Sequence, residues 1–494
     1  MAEPLLLALD QGTTSTRAIL FDRSGRALKT ATRPLRQSYP DDGWVEHDGD
    51  EIFDAACEVL REAADGADPI AAIGITNQRE TVVVWDRVSG RPIHPAIVWQ
   101  DRRTAGICER LKPAEAEVAE VTGLLVDPYF SATKIAWILD HVDGARARAE
   151  RGELLAGTID AWLVWRFTAG RVHATDATNA SRTLLFDLRR QAWSPPMLEL
   201  FGVPLSLLPE VKDTAGDYGE TPAGLLGRPV PIRAVVGDQQ GALMGQGCIA
   251  PGQMKATYGT GCFMLVNTGS ERPVSRSRLL ATVAARIDGR VTYALEGSIF
   301  VAGAAIQWLQ EGLGVEGGPQ AVEALARRAR DEHPVVLVPA FTGLGAPWWD
   351  SGARGALLGL TRDAGLPEIA AAAYDAAALQ TRDLLGAMRA DAPHAFEEGC
   401  ELRIDGGMAS SAWFARRLAD LTGQAVCRVE HQEATALGAA LFAGLAAGVY
   451  ETIEAAAAMR PKGEVLRPAM PAPEREAAYA RWLEAVRRVR SAAA

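Results

Sequence analysis

Apolar runs broken by short polar turns open the chain. The stretch "LLLALDQGTTSTRAILFD" (Leu5–Asp22) is apolar up to Asp10. It then passes Gly12, Thr13, Thr14, Ser15 and Thr16, and turns apolar again after Arg17. That pattern predicts two strands joined by a tight turn. Further along, "AAIGIT" (Ala71–Thr76), "TVVVWD" (Thr81–Asp86) and "PAIVWQ" (Pro95–Gln100) read as strands. Asp50 is placed to cap a helix through about Ala64, with Ile52, Phe53, Ala56, Val59 and Leu60 on one face. Arg102 to Lys112 reads as a helix stopped before Pro113. The alternation indicates an α/β protein.

The second half opens in the same way. "QMKATYGTGCFMLVNTG" (Gln253–Gly269) is again strand, glycine turn, strand, a repeat of pattern rather than of letters, as a duplicated domain would leave. "AARIDGRVTYALEG" (Ala284–Gly297) predicts a hairpin turning at Asp288-Gly289. "VAGAAIQWLQEGLG" (Val301–Gly314) predicts a helix. "CELRIDGGMASSAWFARRLADLTG" (Cys400–Gly423) predicts a strand, a Gly-Gly turn and a helix whose N-terminus suits an anion. The expected division is residues 1–250 and 251–494, with the boundary near Ala250-Pro251-Gly252 and a ligand site between the parts.

Composition narrows the function. A chain of 494 residues is too long for one ordinary core, and 48% apolar residues allow large ones. The net charge of −11 argues against general binding to nucleic acid or anionic membrane. No apolar run reaches the length of a membrane span; Ala-rich Ile369–Leu379 is interrupted by Tyr374 and Asp375. Met1–Asp10 lacks the pattern of a signal peptide. The six cysteines are scattered without a C-x-x-C pair, and the seven histidines form no H-x-x-x-H pair. Reduced thiols, a cytoplasmic location and no zinc site are therefore expected.

Candidate chemistry gathers at the turns. A Gly-, Thr- and Ser-rich turn converges N–H and O–H donors on one point, which suits a phosphate, although any hairpin also needs a turn. It lacks Walker spacing. Asp10, ending a buried strand, needs a cationic partner, and Mg²⁺ held beside phosphates would be one. In "VVGDQQGALMGQG" (Val235–Gly247), Asp238 reads either as a helix cap or as a base at the mouth of a cleft. In "GITNQRET" (Gly74–Thr81), Arg79-Glu80 reads either as a surface ion pair or as a pair facing the hydroxyls of a small polyol. Two phosphate-type turns with two carboxylates meet the needs of phosphoryl transfer: in-line positioning, a metal and a proton acceptor.

Nine motifs in order carry a resemblance: "ALDQGTTSTRAI", "GITNQRET", "IVWQDRRT", "HATDATNASRT", "GDQQGALMGQ", "TYGTGCFML", "EGSIFVAGAAIQWL", "PAFTGLGAPWWD" and "DGGMASSAWF". Through Tyr450 the chain resembles the FGGY-type carbohydrate kinases, and among them those that phosphorylate glycerol. The resemblance implies two actin-like ATPase (ribonuclease-H-like) domains with ATP and substrate in the cleft between them. It places glycerol contacts at Arg79, Glu80, Trp99, Tyr129, Asp238, Gln239 and Phe263. It places ATP contacts at Thr13, Thr14, Ser15, Arg17, Thr260, Gly303, Gln307, Gly407 and Ser411. Asp10 would hold Mg²⁺ directly or through water, and Asp238 would be the general base. Ser411 stands where many bacterial relatives carry Asn, so its contact with adenine is not carried over directly. A homodimer and a homotetramer are both left open.

The alternatives are a kinase of the same family for another polyol or ketose, and an actin-like chaperone or filament protein. The latter has no use for the set Arg79, Glu80, Asp238 and Phe263. The resemblance also implies regulation by fructose 1,6-bisphosphate in some bacterial relatives, through a glycine-rich basic loop before the catalytic aspartate. Here "ETPAGLLGRPVPIRAVVGD" (Glu220–Asp238) has no run of glycines and only Arg228 ahead of Pro229, so that inhibition is not expected.

Overall fold

The computed structural model describes residues 3–330, 333–396, 399–429 and 433–491. Two large sheets organise it. The first contains β1 (Leu5–Gln11), β2 (Ser15–Phe21), β3 (Ala27–Pro34), β4 (Ile70–Asn77) and β5 (Ile232–Gly237), in the order β3-β2-β1-β4-β5. β1 and β2 form an antiparallel hairpin, and β4 and β5 run parallel beside β1. The second contains β6 (Met254–Tyr258), β7 (Cys262–Gly269), β8 (Leu280–Ile287), β9 (Arg290–Ile299), β10 (Glu401–Asp405), β11 (Ala425–Arg428) and β12 (Glu464–Leu466). Its order is β8-β9-β7-β6-β10-β11-β12.

The stretch β9-β7-β6-β10-β11 repeats the first sheet's order, again with one hairpin followed by parallel strands. The two halves therefore share one plan, as the repeated hairpin pattern predicts. A smaller sheet of Glu46–His47, Val82–Asp86, Ala96–Ile97 and Leu154–Thr158 flanks the first.

The helices that matter for the site are α1 (Gly49–Ala64), α2 (Asp238–Gly245), α3 (Gly303–Glu311), α4 (Leu366–Asp391), α5 (Ala412–Thr422) and α6 (Ala434–Ala446). α2 starts directly at the end of β5. α6, from the last third of the chain, lies on the first sheet, where Ala436, Leu437 and Ala440 pack with Leu6, Ala8, Ala72 and Val236. Small residues permit this. A Cβ on Gly74 would come within 2.1 Å of the Ala439 carbonyl, and one on Gly438 within 1.8 Å of the Gly241 carbonyl. α2 and α6 thus cross with their backbones touching. Ala-rich α4 is a buried helix of the second core, and no helix among the described residues is long and apolar enough to cross a membrane.

Several local expectations change. The cap of α1 is Asp48, whose carboxylate accepts from the N–H groups of Asp50 and Glu51; Asp50 sits in the first turn. In Pro95–Gln100 only Ala96–Ile97 pairs as strand, because Trp99 instead anchors its N–H on the Thr81 hydroxyl. The helix near Arg102 is Ala105–Leu111, and Pro113 enters a following 3₁₀ turn. After Gly406 a 3₁₀ turn, Gly407–Ser410, intervenes, and α5 begins only at Ala412.

Candidate functional site

The carboxyl ends of β1, β4 and β5 carry the first group of candidates. Arg79 and Glu80 follow β4, and Asp238 follows β5. Glu80 holds a left-handed backbone (φ 63°), strain typical of a functional turn, and its carbonyl accepts from the Ser131 hydroxyl at 3.0 Å. Both side chains are buried. Arg79 Nε stands 3.1 Å from Asp238 Oδ1 and 3.9 Å from Glu80 Oε1. Gln239 N–H donates to the same Asp238 Oδ1 at 2.7 Å, and the Asp238 side chain stays partly exposed. The ordinary surface ion pair is thereby excluded for Arg79-Glu80, because both side chains are buried.

Aromatic side chains close the space above them. The Trp99 ring meets Tyr129 edge-on at 5.6 Å and Phe263, from β7 of the other sheet, at 6.4 Å. Trp99, Tyr129, Asp238, Gln239 and Phe263 are half-buried, as the walls of a cleft are. Trp99 Nε1 also donates to Thr13 Oγ1 at 2.9 Å, joining this pocket to the β1–β2 turn.

Three charged residues that sequence reasoning missed complete the centre. Glu296 of β9 accepts from Arg79 Nη1 at 2.6 Å and from Arg182 Nη2 at 2.8 Å. Arg182 Nε donates to Glu80 Oε1 at 2.7 Å. Burial opposes ionisation of Glu296, but Arg182 and Arg79 outweigh it and hold its pKa down at about 2. Glu80 is raised by burial against the pull of the same two arginines. Lys255 of β6 is fully buried and donates to the Gln239 Oε1. A single charge inside a strand-like apolar run, as in "YALEGSI" or "QMKAT", was the available signal.

Asp10 lies near the end of β1, with Asp238, Arg17 and Glu433 as charged neighbours. Burial, reinforced by Asp238 and opposed by Arg17, pushes its pKa up to about 7. Two carboxylates crowded at the end of a buried strand suit a cation. Mg²⁺, which takes most of its ligands from phosphate oxygens and water, needs only one or two carboxylates from the protein. No cluster of three or more His, Cys, Asp or Glu able to hold a metal by itself occurs among the described residues.

The nucleotide candidates form a second group. Thr13, Thr14 and Ser15 make the β1–β2 turn, closed by Gly12 N–H to the Ser15 carbonyl. Thr260 makes the matching β6–β7 turn and is tied to α3 by the N–H groups of Ala302 and Ala304. Gly303 N–H donates to the Gly259 carbonyl, and a Cβ there would approach that oxygen to 2.5 Å. Gly406 presses on the Tyr258 carbonyl, while Gly407 faces open space. Three candidates are engaged elsewhere: Arg17 is paired with Glu433 at 2.7 Å, Gln307 donates to Glu311, and Ser411 Oγ caps α5 by accepting from Phe414 N–H.

Residues 5–245 match the N-terminal domain of the FGGY family of carbohydrate kinases, and residues 254–447 match its C-terminal domain. The chain belongs to the FGGY family of carbohydrate kinases. This FGGY kinase is 55% identical over 492 residues to the glycerol kinase of Alcanivorax borkumensis, covering 98% of each chain. It is 54% identical to glycerol kinase 1 of Pseudomonas aeruginosa, covering 99% of each. The crystal structure of Plasmodium falciparum glycerol kinase with ADP superposes with a TM-score of 0.94 at 31% identity, covering 99% of each chain. Xylulose kinase from Lactobacillus acidophilus shares the FGGY kinase fold at 20% identity and a TM-score of 0.87, covering 98% of each chain.

Proposed function

We propose that this kinase transfers the γ-phosphoryl group of ATP to glycerol, giving sn-glycerol 3-phosphate, in the cytoplasm. One observation carries the reading. Asp238 holds Arg79 and the Gln239 N–H through one oxygen, and Trp99 packs edge-on against Tyr129 and Phe263; in this reading those rings limit the acceptor to a short carbon chain. The curated relatives named glycerol kinase, at 54–55% identity over nearly the whole chain, support it.

In this reading Glu80 and Asp238 accept from acceptor hydroxyls, and Arg79 and Gln239 donate to them. Asp238 takes the proton of the attacking hydroxyl as that oxygen bonds to the γ-phosphorus and the bond from phosphorus to the bridging oxygen of the departing ADP breaks. The turns at Thr13–Ser15 and Thr260 supply N–H and O–H donors to the phosphates, and Gly407 leaves room for the adenine ring. Asp10 would hold Mg²⁺, which offsets the charge of the phosphate oxygens. Trp99 and Phe263 exclude water that would otherwise hydrolyse ATP.

The test is a coupled ADP assay on glycerol, dihydroxyacetone, erythritol, xylulose and ribulose. Glycerol is expected to be the best acceptor, with the ketopentoses far behind. Faster turnover of xylulose or ribulose would move the chain to another branch of the family. ADP release that needs no polyol would favour an ATP-driven chaperone or filament protein.

A further inference from the structure

Lys255 lies outside every role assigned above, yet its ammonium touches two residues of the acceptor space. It stands on β6, opposite Leu265 of β7, and its side chain is fully buried. Nζ donates to Gln239 Oε1, to Thr257 Oγ1 at 3.0 Å and to the Phe263 carbonyl at 3.4 Å. An ammonium has three hydrogens and no lone pair. All three are used, and each can meet only an acceptor. The Gln239 amide therefore has one orientation: its oxygen faces Lys255, and its NH₂ faces the other way.

We propose that Lys255 is a positioning residue for the phosphoryl acceptor, locking the Gln239 amide with Nε2 turned into the cleft as an obligatory donor. The acceptor must then present an oxygen lone pair at that point, while Glu80 and Asp238 demand hydroxyl hydrogens elsewhere. Without that anchor the amide is free to flip or to swing out of the cleft, and this polarity is lost. Keeping an ammonium in a dry strand is costly, and burial lowers the pKa of Lys255. Asp405 and Asp238 oppose that shift and favour the charged form.

The inference rests on the acceptor space proposed above, and a double-mutant cycle tests it separately. Wild type is first assayed on the polyol panel, and the cycle uses the acceptor it phosphorylates. Failure of wild type on glycerol concerns the glycerol reading; the cycle concerns Lys255. Gln239→Ala is expected to raise the acceptor KM by about tenfold or more, the loss of one hydrogen bond to a buried site. Lys255→Met is expected to raise it by a similar factor, with the ATP KM changed by less than about twofold. The double variant is expected to be no worse than the poorer single one. Losses that multiply, or an unchanged acceptor KM in Lys255→Met, would overturn the proposal in favour of a purely structural lysine. Gln239→Glu covers a Lys255→Met protein that does not fold. It keeps an oxygen on Lys255 but has no donor, so it is expected to keep its Tm and to bind acceptor as poorly as Gln239→Ala. Wild-type acceptor KM in Gln239→Glu would equally overturn it.

Discussion

Glu296 Oε2 lies 2.6 Å from Arg79 Nη1, so a strand of the second sheet holds the guanidinium that follows the fourth strand of the first. Arg182 joins them at 2.8 Å, delivered by a short helix, Ala177–Ala180, whose cap Asp176 accepts from the N–H groups of Thr178 and Asn179. Two guanidiniums and two carboxylates are thus buried together beneath the acceptor space, each paired with an opposite charge.

Removing Glu296 leaves two buried cations short of a partner. Glu296→Ala is expected to cost about 3–5 kcal/mol of stability, the range for breaking a buried ion pair. Glu296→Gln keeps one acceptor oxygen and is expected to stay folded with a raised glycerol KM. Thermal unfolding and steady-state kinetics on the two variants check this. A Glu296→Ala protein with wild-type Tm would show that the network adds nothing to folding.

Asp238→Asn retains size and the contact to Gln239 N–H but cannot take a proton. kcat is expected to fall by roughly 10²–10⁴-fold, the usual loss for a general base, with glycerol binding less affected. Calorimetric titration beside kinetics separates the two effects. Near-native kcat would reduce Asp238 to the first residue of α2.

Two histidines, buried His47 and half-buried His173, set an acid limit. Burial lowers the pKa of His47 and of His173 from 6.5 to about 4. Between those values the unfolded chain binds protons that the native one does not. Their contribution to stability is therefore complete above pH 6.5 and is lost as pH falls towards 4. Asp10, with its raised pKa, acts in the opposite sense. The comparison is thus between wild type and His47→Gln/His173→Gln, with Tm measured from pH 8 to pH 4.5. The gap between them is expected to be largest at pH 8 and to close on acidification. A constant gap would mean that neither ring resists protonation.

Fructose 1,6-bisphosphate is expected not to inhibit through the segment before Asp238. Leu225 is buried there, and Arg228 is already paired with Asp68 at 3.0 Å. A bisphosphate needs several convergent donors and more than one free cation. Initial rates at millimolar fructose 1,6-bisphosphate, with light scattering in parallel, test this. Saturable inhibition with growth of the oligomer, both abolished by Arg228→Ala, would contradict it.

The sequence by itself determined most of the elements and the family. Short apolar runs around glycine turns specify strands locally, which is why both hairpins, Leu5–Asp22 and Gln253–Gly269, were legible. The residue types at Asp10, Arg79, Glu80 and Asp238 announced charge where strands end. Only the tertiary structure decided which charges meet. Glu296 lies 217 positions from Arg79 in the chain, and no local periodicity encodes such a pairing. The same holds for α6, which crosses back to the first sheet because Gly74, Gly241 and Gly438 let backbones touch, a fit that depends on two surfaces at once. Lys255 shows the limit most clearly: its lone charge in an apolar run is visible in the sequence, but that it meets the Gln239 amide is decided only by the fold, whereas the Ser411 cap on Phe414 N–H lies three residues away and is local.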